Sequence, residues 1–349
     1  MQIRKPTDWP DGWPKGRIDC LKHDSRVLRG NPWNDPTQRD VFVYLPPDYS
    51  ESTSYPVFWD LAAYTNSGPG HVNWRNHGEN IPQRLDRLIA SGKMGPVIAV
   101  FPDCYTSLGG NQYLNSRGVG QYDDYLIKEL IPLVESQYAV RAGAGGRAVF
   151  GKSSGAYGAL TQAIRHPQTW GAVACHSGDL NFELVYRADF PTACNVLARH
   201  KYDIPRFMRH FWNSKQPGAA DFHTLMVLCM AASYDPADPA LTKTGLPFRL
   251  PFDLKTCELD SEAWARWLQF DPLEMPADML KSLASLRGLY LDVGNRDQYH
   301  IHFGSRRFHQ RLLDMGIAHH YDEFDGTHSG IDHRLDISLP WLYQKLMEN

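Results

Sequence analysis

The chain has 349 residues, enough for one large α/β domain or two small ones, and its 42% hydrophobic content supports a sizeable core and excludes a disordered protein. A net charge of −3 without any long basic run argues against nucleic acid as a partner, and no apolar stretch approaches the length of a membrane span. Met1-Gln2-Ile3-Arg4-Lys5-Pro6 lacks the apolar core of a signal peptide, and six scattered cysteines (Cys20, Cys104, Cys175, Cys194, Cys229, Cys257) form no Cys-x-x-Cys, so a cytoplasmic, reducing location is expected.

Residues 1–38 are rich in Trp, Pro, Gly and Asp, with Trp9, Trp13 and Trp33 as candidate packing anchors and a short strand expected over 18–21. Val41 to Leu45 reads as a strand stopped by Pro46-Pro47, and Pro56 to Leu61 as another that runs into Ala62-Ala63-Tyr64-Thr65-Asn66. A helix is expected over 81–90, a buried strand over 96–101, a Gly- and Asn-rich loop over 109–120, and one amphipathic helix from Tyr122 to Tyr138. Strands follow at 147–150 and 170–175, the second ending at His176-Ser177-Gly178-Asp179. The periodicity then breaks. From 180 to 285 short helical pieces alternate with Pro-rich loops, dense in aromatics: Phe182, Tyr186, Phe190, Phe207, Phe211, Trp212, Trp264, Trp267 and Phe270. So long a segment between two core strands is usually functional, and it reads as a cap-like insertion that contributes to the substrate pocket, with most of its aromatics forming its own small core and only a few left to line that pocket. The pattern resumes with a strand at 289–294, Asn295-Arg296-Asp297, a helix near 300–315, a strand at 319–324, Gly326-Thr327-His328-Ser329-Gly330 and a final helix near 336–347. Alternating buried strands and helices imply a mostly parallel sheet covered on both faces, formed by 1–179 and 286–349, with 180–285 inserted.

Gly151-Lys152-Ser153-Ser154-Gly155 is the chain's Gly-x-Ser-x-Gly. Alone the pattern is common and reads as a glycine-bounded turn. Here Ala148-Val149-Phe150 precede it as a buried strand end, and Ala156, Ala159, Leu160 and Ile164 follow at helical spacing. That context makes it a nucleophile elbow, with the Ser153 hydroxyl exposed above the sheet and the N–H of Ser154 placed to bind an oxyanion.

A serine hydroxyl needs a neutral imidazole to take its proton and a carboxylate to orient that imidazole. On a parallel sheet, loops after strand ends converge. Asp297 and His328 both follow strand ends, and the order Ser153, Asp297, His328 is that of an α/β-hydrolase triad. Among 15 histidines, His333 is the nearest rival to His328; Asp179, just after the strand that follows the elbow, competes with Asp297. No metal motif or phosphate loop appears, and this chemistry needs no cofactor.

These pieces resemble the esterase family of α/β-hydrolases that includes S-formylglutathione hydrolase (esterase D), enterochelin esterase, feruloyl esterases and mycolyltransferases. The matching segments are Val43-Tyr44-Leu45-Pro46-Pro47-Asp48-Tyr49, Tyr55-Pro56-Val57, the elbow, His176-Ser177-Gly178-Asp179, Gly294-Asn295-Arg296-Asp297 and Gly326-Thr327-His328-Ser329. The resemblance implies an α/β-hydrolase fold, a Ser153–Asp297–His328 triad and a serine esterase acting on carboxylic esters, with thioesters left open as a further substrate. The alternatives are an acyltransferase on the same fold and an inactive binding module. Relatives carry His-Gly where this chain has Ala62-Ala63, so the second oxyanion N–H is expected from Tyr64. Asp60 is expected either to pair with Lys152 or to hydrogen-bond the following loop, the latter favoured. The expected partner is a small-molecule ester, not nucleic acid or membrane; homo-oligomer formation is left open.

Overall fold

The computed structural model describes residues 13–75 and 78–348; Trp9 and the first six residues discussed above lie outside them. Eight strands form one sheet: β1 (Arg17–Asp24), β2 (Gln38–Leu45), β3 (Val57–Leu61), β4 (Ile98–Pro102), β5 (Arg147–Lys152), β6 (Ala172–His176), β7 (Gly288–Gly294) and β8 (His320–Phe324). Their spatial order is β1-β2-β4-β3-β5-β6-β7-β8. β2 runs antiparallel to β1 and β4, and every other pairing is parallel. β3 and β7 are buried along their whole length, which is why they read as continuous apolar runs rather than alternating ones.

The pleat sorts the core into two layers. Trp59, Val149, Val173 and Leu291 face one side, with Ala156, Ala159 and Leu160 of α3. Phe58, Phe150, Ala174 and Tyr290 face the other, against Leu85 and Leu88 of α1 and Leu339 and Leu342 of α8. Here α1 is Ile81–Ala90, α2 is Ile131–Gln137, α3 is Ser154–Arg165 and α8 is Leu335–Met347. Asn80 and Gln83 form a capping box that starts α1 where the sequence placed it. The register sets Gly151 of β5 beside Leu61 of β3 and Cys175 of β6. The parallel strands therefore bring their C-terminal loops to one edge, and that edge carries the site.

The helix expected over 122–138 is helical from Tyr122 to Gln137, but Tyr125–Leu130 makes a π-turn in which the Ile131 N–H reaches back to the carbonyl of Leu126. Pro132 accounts for the difference, since it lacks an N–H and its ring crowds the preceding turn. Trp33 packs as an anchor: its indole N–H donates to the carbonyl of Gly118 at 2.7 Å and its ring stacks on Phe248.

Between β6 and β7 lie four longer helices, α4 (Phe190–Arg199), α5 (Ile204–Asn213), α6 (Ala219–Tyr234) and α7 (Ser261–Leu268), with a largely irregular stretch over 235–260. Phe182, Phe190, Phe207 and Trp267 are buried, with Phe190 stacked on Phe252 at 4.5 Å and edge-on to Trp267. Most of these aromatics thus pack with one another, whereas Trp212 is exposed.

Candidate active site

Ser153 sits between β5 and α3 with φ 57° and ψ −126°, a backbone conformation costing on the order of 1–3 kcal/mol that is held only where the surroundings impose it. Its N–H donates to the carbonyl of His176 at 3.0 Å, and its carbonyl accepts the N–H of Tyr157 at 2.9 Å. The flanking glycines are sterically required. A Cβ on Gly155 would lie 1.9 Å from the carbonyl oxygen of Leu61, and one on Gly151 would lie 2.5 Å from the backbone of Gly155. Strand, serine and helix are packed so closely that the Ser153 side chain is left facing the cavity above the sheet.

That cavity has a volume of about 460 Å³. Ser153, Ser154, Tyr64, Asp179 and His328 line it from the sheet loops, and Val185, Tyr186, Phe222, His223 and Met226 from the segment between β6 and β7. Ser154 is at the first turn of α3, where helix N–H groups have no intrahelical acceptor. Among the described residues no acceptor takes the backbone N–H of Ser154 or of Tyr64. The loop bearing Tyr64 is pinned in spite of Ala62-Ala63. Thr65 donates its N–H to Gly109, the Tyr64 hydroxyl donates to the carbonyl of Leu108 at 2.8 Å, and the Tyr113 hydroxyl donates to the carbonyl of Ala62.

Asp297 and His328 meet across the ends of β7 and β8. The Nδ1 of His328 lies 2.7 Å from Oδ2 of Asp297, whose other oxygen accepts the N–H of Tyr299 at 2.8 Å. Asp297 is 2% exposed and His328 9%. The Tyr299 ring stands edge-on to the imidazole, and the His328 N–H donates to Gln298. A carboxylate at Nδ1 fixes the tautomer that carries its proton there and leaves Nε2 free to accept one. His333 is exposed, bonds to the carbonyl of Gly330 and packs on Phe324, away from the cavity lining.

The other polar candidates have different partners. Asp60 does not pair with Lys152; it hydrogen-bonds His71, which lies in the short helix Gly68–Val72 beyond the loop that follows its strand, rather than the loop itself. Lys152 instead reaches Asp332 at 3.0 Å. Asp179 lines the cavity and accepts from the hydroxyls of Tyr186 and Ser154. A second Ser-His-Asp array lies on the opposite face of the sheet: Ser338 Oγ is 2.9 Å from His176 Nε2, and His176 Nδ1 is 2.7 Å from Asp292. Ser338 is fully buried and Arg334 clamps Asp292, so no ester can reach that serine. Burial pushes the Asp292 carboxyl up, but His176 and Arg334 outweigh it and hold it down. Phe222, His223, Met226 and Tyr299 line the cavity although nothing in the sequence singled them out; the i, i+4 spacing of Phe222 and Met226 on α6 is the one available signal.

The sheet order, the strained elbow serine and the loop edge define an α/β-hydrolase fold. Solved structures share it: a ferulic acid esterase (TM-score 0.59, 19% identity, 95% of this chain and 99% of that one). An S-formylglutathione hydrolase from Agrobacterium tumefaciens is similar too (TM-score 0.55, 16% identity, 95% and 96%), as is a ferulic acid esterase from the anaerobic fungus Anaeromyces mucronatus (TM-score 0.53, 16% identity, 97% and 92%). Residues 36–338 match the family described as "Putative esterase", and the chain belongs to that family. It is a carboxylic ester hydrolase, in keeping with the resemblance read from its motifs. No helix among the described residues is long and apolar enough to cross a membrane.

Proposed function

We propose that the chain hydrolyses carboxylic esters, thioesters included, through an acyl-enzyme on Ser153. The observation that carries this reading is the His328–Asp297 bond of 2.7 Å on an imidazole that lines the same cavity as the elbow serine. His328 takes the Ser153 proton through Nε2 as Oγ attacks the ester carbonyl, and Asp297 orients the ring and stabilises the imidazolium. The N–H groups of Ser154 and Tyr64 receive the oxyanion. His328 then protonates the leaving alcohol, and water activated by the same imidazole releases the acid. Segment 180–285 supplies the wall of Val185, Tyr186, Phe222 and Met226 and sets the choice of ester. Six free cysteines, four of them buried, support a reducing, cytoplasmic setting. Hydrolysis of p-nitrophenyl butyrate and its thioester analogue by the wild type and Ser153→Ala tests the reading. A loss of at least about a thousandfold in kcat is expected; comparable turnover by the variant would overturn it.

A further inference from the structure

Asp179 is 4% exposed, yet it lines the cavity directly beside the elbow. Its Oδ2 accepts the Tyr186 hydroxyl at 2.7 Å and the Ser154 hydroxyl at 3.3 Å. Both donors are held from behind: Tyr186 contacts the Tyr234 hydroxyl at 3.3 Å, and Gln112 donates to Ser154 Oγ at 3.2 Å, committing that hydroxyl's proton to the carboxylate. Oδ1 takes no bond from any described residue, the carboxylate is part of the cavity lining, and no arginine or lysine among the described residues pairs with the group; Lys152 pairs with Asp332 instead. A desolvated carboxylate with one oxygen satisfied and the other unpaired is costly unless something arrives to donate to it. Burial raises its pKa for the same reason.

We infer that Asp179 reads a hydroxyl group on the substrate close to the scissile ester bond. This rests on the esterase reading above. The hydroxyl must be near the bond because the carboxylate touches Ser154, the residue next to the nucleophile, and consecutive Cα atoms are only ~3.8 Å apart. A neutral donor fits better than an ammonium, because the Lys152 ammonium lines the same cavity and so does His223, whose pKa is raised by the Asp189 carboxylate 3.0 Å from its ring. A substrate hydroxyl donating to Oδ1 completes the network; an ester without it leaves Oδ1 bare.

Ethyl butyrate, ethyl β-hydroxybutyrate and ethylene glycol monobutyrate place no hydroxyl, a hydroxyl on the acyl side and a hydroxyl on the alcohol side. The wild type is expected to prefer one hydroxylated ester over ethyl butyrate by about ten- to a hundredfold in kcat/KM, the range of a hydrogen bond to a charged acceptor. Asp179→Asn should cut that ratio at least several-fold, and Asp179→Ala should bring it near unity. Equal rates on all three esters with the wild type would overturn the inference, as would an unchanged ratio in both variants or a preference for ethyl β-aminobutyrate. In each case measurable ester hydrolysis leaves the esterase reading standing; no hydrolysis of any ester overturns that reading and this inference together.

Discussion

The Lys152 ammonium lies 3.0 Å from Oδ1 of Asp332, and Arg75 reaches the other oxygen of the same carboxylate at 2.5 Å. Lys152 immediately precedes Ser153, and Asp332 follows His328 by four residues. The pair therefore ties the elbow to the loop that carries the imidazole, two segments that no strand pairing holds together.

This tether has a pH signature. Burial pushes the Asp332 carboxyl up, but Lys152 and then Arg75 outweigh it and hold it at about 2. A depressed carboxylate stabilises the fold above its ordinary range and ceases to as pH falls through the folded value. The Tm difference between wild type and Asp332→Asn is thus expected to be largest near neutrality and to close as pH falls toward about 2. Lys152→Met should lower kcat several-fold with little change in KM, and Lys152→Arg should restore most of it. A Tm difference that does not vary with pH would show that the pair contributes nothing through charge.

His328→Ala is expected to cost as much as Ser153→Ala, on the order of a thousandfold in kcat, whereas His333→Ala should stay within a few-fold. The contrast follows from their settings: one imidazole lines the cavity, and the other is exposed and packed on Phe324. Steady-state ester hydrolysis by the two folded variants decides it, and near-normal turnover by the His328 variant would refute the assignment.

Asp297→Asn should leave the fold intact and lower kcat by at least about a hundredfold, because the amide cannot hold the proton at Nδ1 or stabilise the imidazolium. Asp179 lies apart from the imidazole's hydrogen bonds, so its Asn variant should lose less on ethyl butyrate than the Asp297 variant does. The reverse order, measured side by side, would move the orienting acid to Asp179.

Phe222 and Met226 lie on one face of α6 and form an apolar part of the cavity wall. Phe222→Ala is expected to shift relative kcat/KM between short and long acyl esters by about 1–3 kcal/mol, the range for a methylene-sized change in an apolar pocket. An unchanged chain-length profile would take this wall out of the specificity argument.

The central strands were legible because a parallel strand buried on both faces is apolar throughout, and the elbow because only glycine fits at 151 and 155. Asp297 and His328 were legible from position, since each follows a strand that ends at the same edge. Asp332 was not: it meets Lys152 across 180 residues, and nothing local marks a carboxylate in a short helical turn as a partner. Asp60 looked available to Lys152, but His71, eleven residues on, takes it first. Phe222 and Met226 escaped notice because α6 is buried along most of its length, so no polar stripe marks which side faces the cavity. The π-turn at 125–130 had a visible cause in Pro132, but the helical periodicity on either side masked it.

The most direct test of the account is where a covalent probe attaches. Intact-mass analysis of the wild type treated with a fluorophosphonate should give a single adduct, and peptide mapping should place it on Ser153. Ser153→Ala should give none, while Ser154→Ala should still label. An adduct on another residue, or ester hydrolysis that persists undiminished with no adduct at Ser153, would contradict the proposed mechanism.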